Sequence, residues 1–281
     1  MLAINFLFFN DLPPEANAQS ARAFLQRSRL LERVSRLVIV NNTDANGHVV
    51  QLDARTTYTP GDNAFSEFSG WDAGLQCLGP LRRDETGVLF VNDTVLSHGR
   101  LAVAQMCEFR SGMGHLRRDP EPGRVLAGWR DKLIAAPGVM TPLGTLDDGY
   151  INTRLFFVST GLLEALGSLL PAREMLDLLE KPSEANSWSY ITAATWDRYN
   201  AELLTWLNQP GSPGSWYRSA PLSEANADSF LRKATAIYCE HLLTLRAKRL
   251  SARTIDFRTD SRVLYAALYV PRMLRKVAKH L

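Results

Sequence analysis

Residues 87–99 read GVLFVNDTVLSHG, and the run GVLFV has the length and composition of a strand buried on both faces. Asn92, Asp93 and Thr94 follow it at once. Polar groups set directly behind a buried strand are costly to desolvate unless they find partners, so they either cap the next helix or hold a ligand. A carboxylate such as Asp93 at that place suits a hard divalent cation, which in turn neutralises a departing diphosphate.

The same grammar extends on both sides. Residues 4–9 form an apolar run closed by Asn10, Asp11, Pro13 and Pro14, and RLVIV at 36–40 is a second run closed by Asn41 and Asn42. Residues 48–52 suggest a third strand, and LFFV at 155–158, with Tyr150 and Ile151 before it, a fifth. Helical spacing occupies 16–33 and 71–78. Short apolar runs separated by helices predict an α/β fold with a mainly parallel sheet covered on both faces. In such sheets ligands bind outside the carboxyl ends of the strands, which draws attention to Asn10, Asn41, Asn42, Asn92 and Asp93. After about Gly161 the apolar positions recur at helical spacing through 162–179, 196–207 and 230–250. The expected organisation is therefore an α/β part at 1–170, a helical part at 171–260 and a tail at 261–281.

Composition narrows the classes. The chain has 281 residues, 46% hydrophobic and 22% charged, the profile of a globular protein with a sizeable core. Cys77, Cys107 and Cys239 are odd in number and far apart, which suggests neither a disulfide framework nor a zinc site and fits a reducing cytoplasm. Residues 1–9 have no basic flank or cleavage site and are read as a first strand, not an export signal. No run reaches the roughly 20 apolar residues of a spanning helix. The net charge of +3 hides a basic C-terminal stretch, with ten Lys or Arg against two Asp from residue 246 onward. Such a tail on a mildly acidic body points to phosphate-bearing partners.

A second cluster lies at 62–74, DNAFSEFSGWDAG, where Asp62, Asn63, Glu67, Trp71 and Asp72 mix carboxylates, an amide and aromatics. The mixture suits a polar ring held between an aromatic face and hydrogen-bonding groups; the alternative is a helix start with Ser69 as cap and Trp71 as core. Lesser features are Gly112, Met113, Gly114 and His115 followed by Arg117 and Arg118, read as a loop that either grasps a diphosphate or is merely a loop. His98 is a lone histidine, and Glu240 with His241 lies on an apolar helix as either a core pair or a donor contact.

The order of these segments, Asn-Asn after the second strand, then DNAFSEFSGWDAGL, VLFVNDT and YINTRLFFVSTGLLEAL, resembles bacterial polysaccharide glycosyltransferases of the GT-A fold. The likeness is greatest to those similar to rhamnan-synthesis and lipopolysaccharide O-chain transferases. It covers about residues 1–170 and extends loosely over 215–249. The resemblance implies a nucleotide-sugar donor bordered by Asn10, Asn41 and Asn42, with Asp62, Asn63, Glu67, Trp71, Asp72 and Asn92 along it. Asn92 and Asp93 take the place of the metal-binding Asp-x-Asp; Val91 stands where the first Asp would be, leaving Asp93 as the lone carboxylate for Mg or Mn. The resemblance also puts Asp147 and Asp148, just before YINTRLFFV, where an acceptor hydroxyl is deprotonated if the enzyme inverts; the alternative is a solvated turn with Gly149.

The function expected is thus transfer of a sugar from a nucleotide-sugar to a surface glycan or lipid-linked precursor. A nucleotidyltransferase is the alternative within enzymes, although INFLFFNDLPPEAN lacks its Gly-rich loop with a nearby Lys or Arg. A nucleic-acid-binding protein would use the basic tail, but only Tyr265 and Tyr269 interleave with those charges, so no nucleic acid is expected. In residues 261–281 apolar and basic positions separate onto two faces if helical, which suits peripheral attachment to an anionic membrane surface on its cytoplasmic side; the alternative is a helix packed onto the body with its basic face in water.

Overall fold

The computed structural model describes residues 1–97, 101–118, 123–132, 140–141, 143–145, 148–179, 197–211, 216 and 218–258. All seven residues of the first strand, β1 (Leu2–Phe8), are buried, as a strand covered on both faces requires. It pairs in parallel with β2 (Val34–Asn41) and with β5 (Gly87–Asn92), so that Ile4 lies between Leu37 and Leu89. Beyond β2 come β4 (Thr56–Pro60), parallel to it, and β3 (Val50–Gln51), antiparallel at the edge. Beyond β5 comes β9 (Tyr150–Ser159), antiparallel to both β5 and β6 (Val125–Asp131), and β10 (Arg253–Asp256) closes that side parallel to β6. The eight-stranded order is β10-β6-β9-β5-β1-β2-β4-β3, mostly parallel, with β9 and β3 opposed. A separate ribbon pairs β7 (Met140–Thr141) with β8 (Gly144–Thr145).

Alternation along β1 divides the core. Ile4, Phe6 and Phe8 point to one face, where α1 (Pro14–Arg27) supplies Phe24 and Leu25 and α3 (Val103–Arg118) supplies Phe109 and Met113. Ala3 and Leu7 point to the other, against Trp71 of α2 (Glu67–Leu78), Leu162 of α4 (Thr160–Leu166) and Leu243 of α7 (Glu224–Arg249). A short α5 (Arg173–Leu176) follows α4, and α6 (Asp197–Asn208) packs Tyr199, Leu203 and Leu207 against Phe230 and Leu242 of α7. Each large apolar side chain so buried contributes about 1.5–3 kcal/mol.

The α/β class and the helical second half follow the sequence expectation; three details do not. The helix expected at 16–33 ends at Arg27, because Ser28 turns the chain and Leu30 drops into the core. The helical part is not all helix, since β10 returns to the sheet after α7. Residues 112–115 are not a loop but the middle of α3, where a Cβ on Gly112 would meet the Phe257 ring at 2.3 Å. That glycine serves close packing, not backbone mobility.

Candidate functional site

Beneath α7, where β5 and β6 end and β9 begins, lies a cavity of about 270 Å³. Asn92 and Thr94 reach it from the end of β5, Asp131 from the end of β6, and Tyr150, Asn152, Thr153 and Arg154 from the start of β9. Because β9 runs against its neighbours, its first residues lie at their carboxyl ends. The remaining walls are Glu67 at the start of α2, Lys233, Ala236, Ile237 and Glu240 of α7, and Trp206 of α6. This is the region in which open α/β sheets place their ligands.

Backbone strain sets Glu67 in position. Ser66, just before α2, has φ 53° and ψ −134°, and Asn63 has φ 52°, conformations that side chains disfavour and that persist only when surroundings enforce them. Asn42 does the enforcing: its Nδ2 donates to the Ser66 carbonyl at 2.7 Å and to Asn63 Oδ1 at 3.2 Å, while its Oδ1 accepts the Asn63 N–H at 3.1 Å. Glu67 then accepts from the Ser66 hydroxyl at 2.5 Å and meets Lys233 of α7 at 3.9 Å.

On the opposite wall, Glu240 Oε1 accepts both the N–H of Thr153 at 2.5 Å and its hydroxyl at 2.8 Å. Burial pushes the Glu240 carboxyl up, the Thr153 bonds and Lys233 pull it down and Glu67 adds repulsion, leaving it at about 7. Burial lowers the Arg154 guanidinium, opposed by Asp131 and Glu240, and the group lies 5.6 Å from the Trp129 ring centre. Tyr150 stacks edge-on against His241 with ring centres 4.2 Å apart, and burial holds its phenol far above the ordinary range. His241 belongs to the core: its Nδ1 is 2.7 Å from the Tyr199 hydroxyl, and burial lowers its pKa to about 3, so it is neutral.

Of the residues expected along a donor, the structure brings Glu67 and Asn92 to the cavity. Trp71 is corrected: its side chain is fully buried, with Phe68, Phe90 and Phe156 rings edge-on at 5.1, 6.1 and 5.0 Å. The reading of Trp71 as core holds, on a helix that starts at Glu67 and not after Ser69. Asp72 is likewise turned elsewhere, accepting the Leu169 N–H at 2.9 Å and the Ser168 hydroxyl. Asn10 and Asn41 brace the loop after β1, Asn10 against Asn17 at 3.1 Å and Asn41 against the Asn10 carbonyl at 2.9 Å. Asp62 closes a turn onto Ala64 and faces solvent.

Asp93 stands beside Asn92 on a short 3-10 turn, Asp93–Val95, with Oδ2 accepting the Phe9 N–H at 2.9 Å. Among the described residues no three His, Cys, Asp or Glu gather to hold a metal. Asp93 does not by itself make a set for Mg or Mn. Asp148 is exposed, 3.5 Å from Lys248, and does not line the cavity. Asp147, His98 and the side chains of Arg117 and Arg118 lie outside the described residues, as does 261–281.

Sequence reading passed over Asp131, Asn152, Arg154, Trp206 and Lys233. Two signals were available. The polar triplet Asn152, Thr153 and Arg154 interrupts an otherwise apolar strand, and Lys233 and Glu240 recur two turns apart on one face of an apolar helix.

No family model matches the chain, and no curated protein matches it. A solved structure with likeness to it is 4-diphosphocytidyl-2C-methyl-D-erythritol synthase from Anaerococcus prevotii. The two are 14% identical, with a TM-score of 0.35 over 72% of this chain and 97% of the other. A likeness that slight carries no argument, and the α/β description rests on the strand order itself.

Proposed function

We propose that the protein is a glycosyltransferase of GT-A-like design, moving a sugar from a nucleotide-sugar donor to a bacterial surface glycan or its lipid-linked precursor. The observation that carries this reading is the cavity at the ends of β5 and β6, where two cations and three carboxylates share one wall system with amides and an aromatic ring. A departing nucleoside diphosphate needs positive charge, and Lys233 and Arg154 supply it. Asn92 and Asn152 suit sugar or ribose hydroxyls, and the half-buried Trp206 suits the apolar face of a pyranose. Asp93, one residue beyond Asn92, is the carboxylate we propose to orient the donor.

The test is a donor screen by mass spectrometry with UDP-, GDP-, CMP- and dTDP-sugars. One donor is expected to bind and to hydrolyse slowly without acceptor, and Asp93→Asn is expected to abolish transfer with little change in melting temperature. Absence of binding by every donor sinks the reading; consumption of a nucleoside triphosphate with release of pyrophosphate replaces it with nucleotidyl transfer. The basic tail at 261–281 adds attachment to anionic lipid, each Lys or Arg near the surface contributing about 1 kcal/mol. No helix among the described residues is long and apolar enough to cross a membrane. Truncation after Asp260 is expected to release the protein from anionic vesicles in co-sedimentation, and equal binding by both chains refutes the attachment.

A further inference from the structure

We propose that Glu240 is the proton acceptor of the transfer step, receiving the proton of the attacking acceptor hydroxyl inside the cavity. The assignment rests on the glycosyltransferase reading and adds to it a residue outside the strand-end loops.

Three carboxylates line the cavity, and their partners separate them. Glu67 is engaged by the Ser66 hydroxyl and by Lys233. Asp131 turns one oxygen, Oδ1, onto the N–H of Lys132. Glu240 is less exposed than Asp131 and is anchored from another element, not by its own neighbour: both Thr153 bonds end on Oε1, and no described residue donates to Oε2. One oxygen anchors the group while the other keeps its lone pairs for a ligand, the geometry a general base needs. Thr153 supplies that anchor from the start of β9, so the carboxylate is held between a helix and a strand.

The surroundings support the role. From α2 the carboxylate is faced by Glu67, from α7 by Lys233, from β9 by Arg154 and Tyr150 and from α6 by Tyr199, and Asp131 of β6 lines the same cavity beside Arg154 and Tyr150. Burial outweighs the cations, and the carboxyl is poised at about 7, where a base has both the right ionisation and useful basicity. Lys233 and Arg154 sit in the same cavity, so positive charge is at hand for the leaving group without neutralising the base fully. Asp148, by contrast, is exposed and ion-paired with Lys248.

The step balances without a further reagent. The acceptor oxygen forms a bond to the anomeric carbon as its proton passes to Glu240 Oε2. The bond from that carbon to the diphosphate oxygen breaks, and its electron pair leaves with the nucleoside diphosphate. Glu240 then releases the proton to solvent.

The experiment uses the full chain and the donor found in the screen, with donor binding by calorimetry and transfer rate from pH 5 to 9. Glu240→Gln keeps an acceptor for Thr153, so it is expected to bind donor within about threefold while transfer falls by about 10²–10⁴-fold and the rise of rate near pH 7 disappears. Glu240→Asp is expected to recover part of the rate with that rise displaced. If wild type transfers and Glu240→Gln stays within about tenfold of it, or loses donor binding together with rate, the base assignment falls and the transferase reading stands. If wild type binds no donor, both fall. Should Glu240→Gln not fold, Glu240→Asp decides alone: a displaced rise supports the assignment, and an unmoved one overturns it.

Discussion

Glu85 and Glu240 are both withdrawn from water at opposite ends of the same sheet, and their environments push them in opposite directions. At the amino end, Glu85 receives Arg36 Nε at 2.9 Å and Nη2 at 2.5 Å, the Ser35 hydroxyl at 2.5 Å and the Arg82 N–H at 2.7 Å. Burial alone would raise its pKa, yet these donors bring it to about 2. At the carboxyl end, Glu240 has Thr153 as its only hydrogen-bond partner among the described residues and rests at about 7. Cavities tell the same story: that at the amino end, about 230 Å³, is lined by Leu2, Leu30, Met113, Leu116 and Phe157 with few polar groups. A carboxylate supplied with every donor it can use is part of the framework. One left partly supplied, beside open space, is available for work.

The comparison can be broken most forcefully at Glu85. Glu85→Gln strands the Arg36 guanidinium, whose side chain is only 17% exposed, and is expected to destabilise by about 3–5 kcal/mol in urea unfolding at pH 7. Glu240→Gln removes an under-compensated charge and is expected to be neutral or stabilising at pH 8. A loss there as large as at Glu85 would erase the distinction.

The pH dependence sharpens it. Glu85 is depressed from 4.5 to about 2, so its contribution is complete above about 4.5 and is lost as pH falls through 2. Glu240 is raised from 4.5 to about 7, so its contribution is complete below 4.5 and is lost as pH rises through 7. Wild type measured against Glu240→Gln should therefore lose stability between these two values by at most about 1.4 kcal/mol per pH unit. A flat difference shows that Glu240 titrates normally. The smallest effect is expected at Asp148, whose side chain is 72% exposed. Asp148→Asn should change stability by less than about 0.5 kcal/mol, and a larger loss would mean that its contact with Lys248 is structural.

The sheet was legible where burial is continuous. β1, β2, β5 and the apolar half of β9 announce themselves because nothing polar is tolerated inside them. β4 did not, since Thr-Thr-Tyr-Thr-Pro carries its backbone pairing on polar residues, nor did β10, whose residues are mostly half-buried. The site was legible only from one side. Asn92 ends its strand and Glu67 begins its helix, whereas Arg154 and Lys233 come from distant segments that meet only after folding, and Glu240 was legible as a donor contact or a core pair but not as a neighbour of Thr153. Trp71 shows the limit of composition: an aromatic among carboxylates suits a ligand pocket or a core equally well, and only the packing of α2 on the sheet, with Trp71 against Phe90 and Phe156, decides between them.

The pairing of Arg253 with Val125, which seats β10 against β6, has a consequence for synthesis. The strand that covers β6 emerges after α7, so a ribosome-bound chain carries β6 as a bare edge while the other seven strands of the sheet are already made. Exposed N–H and C=O groups on such an edge can pair with another chain. Translation arrest before Arg253 should therefore yield aggregates, and extension through β10 should dissolve that tendency.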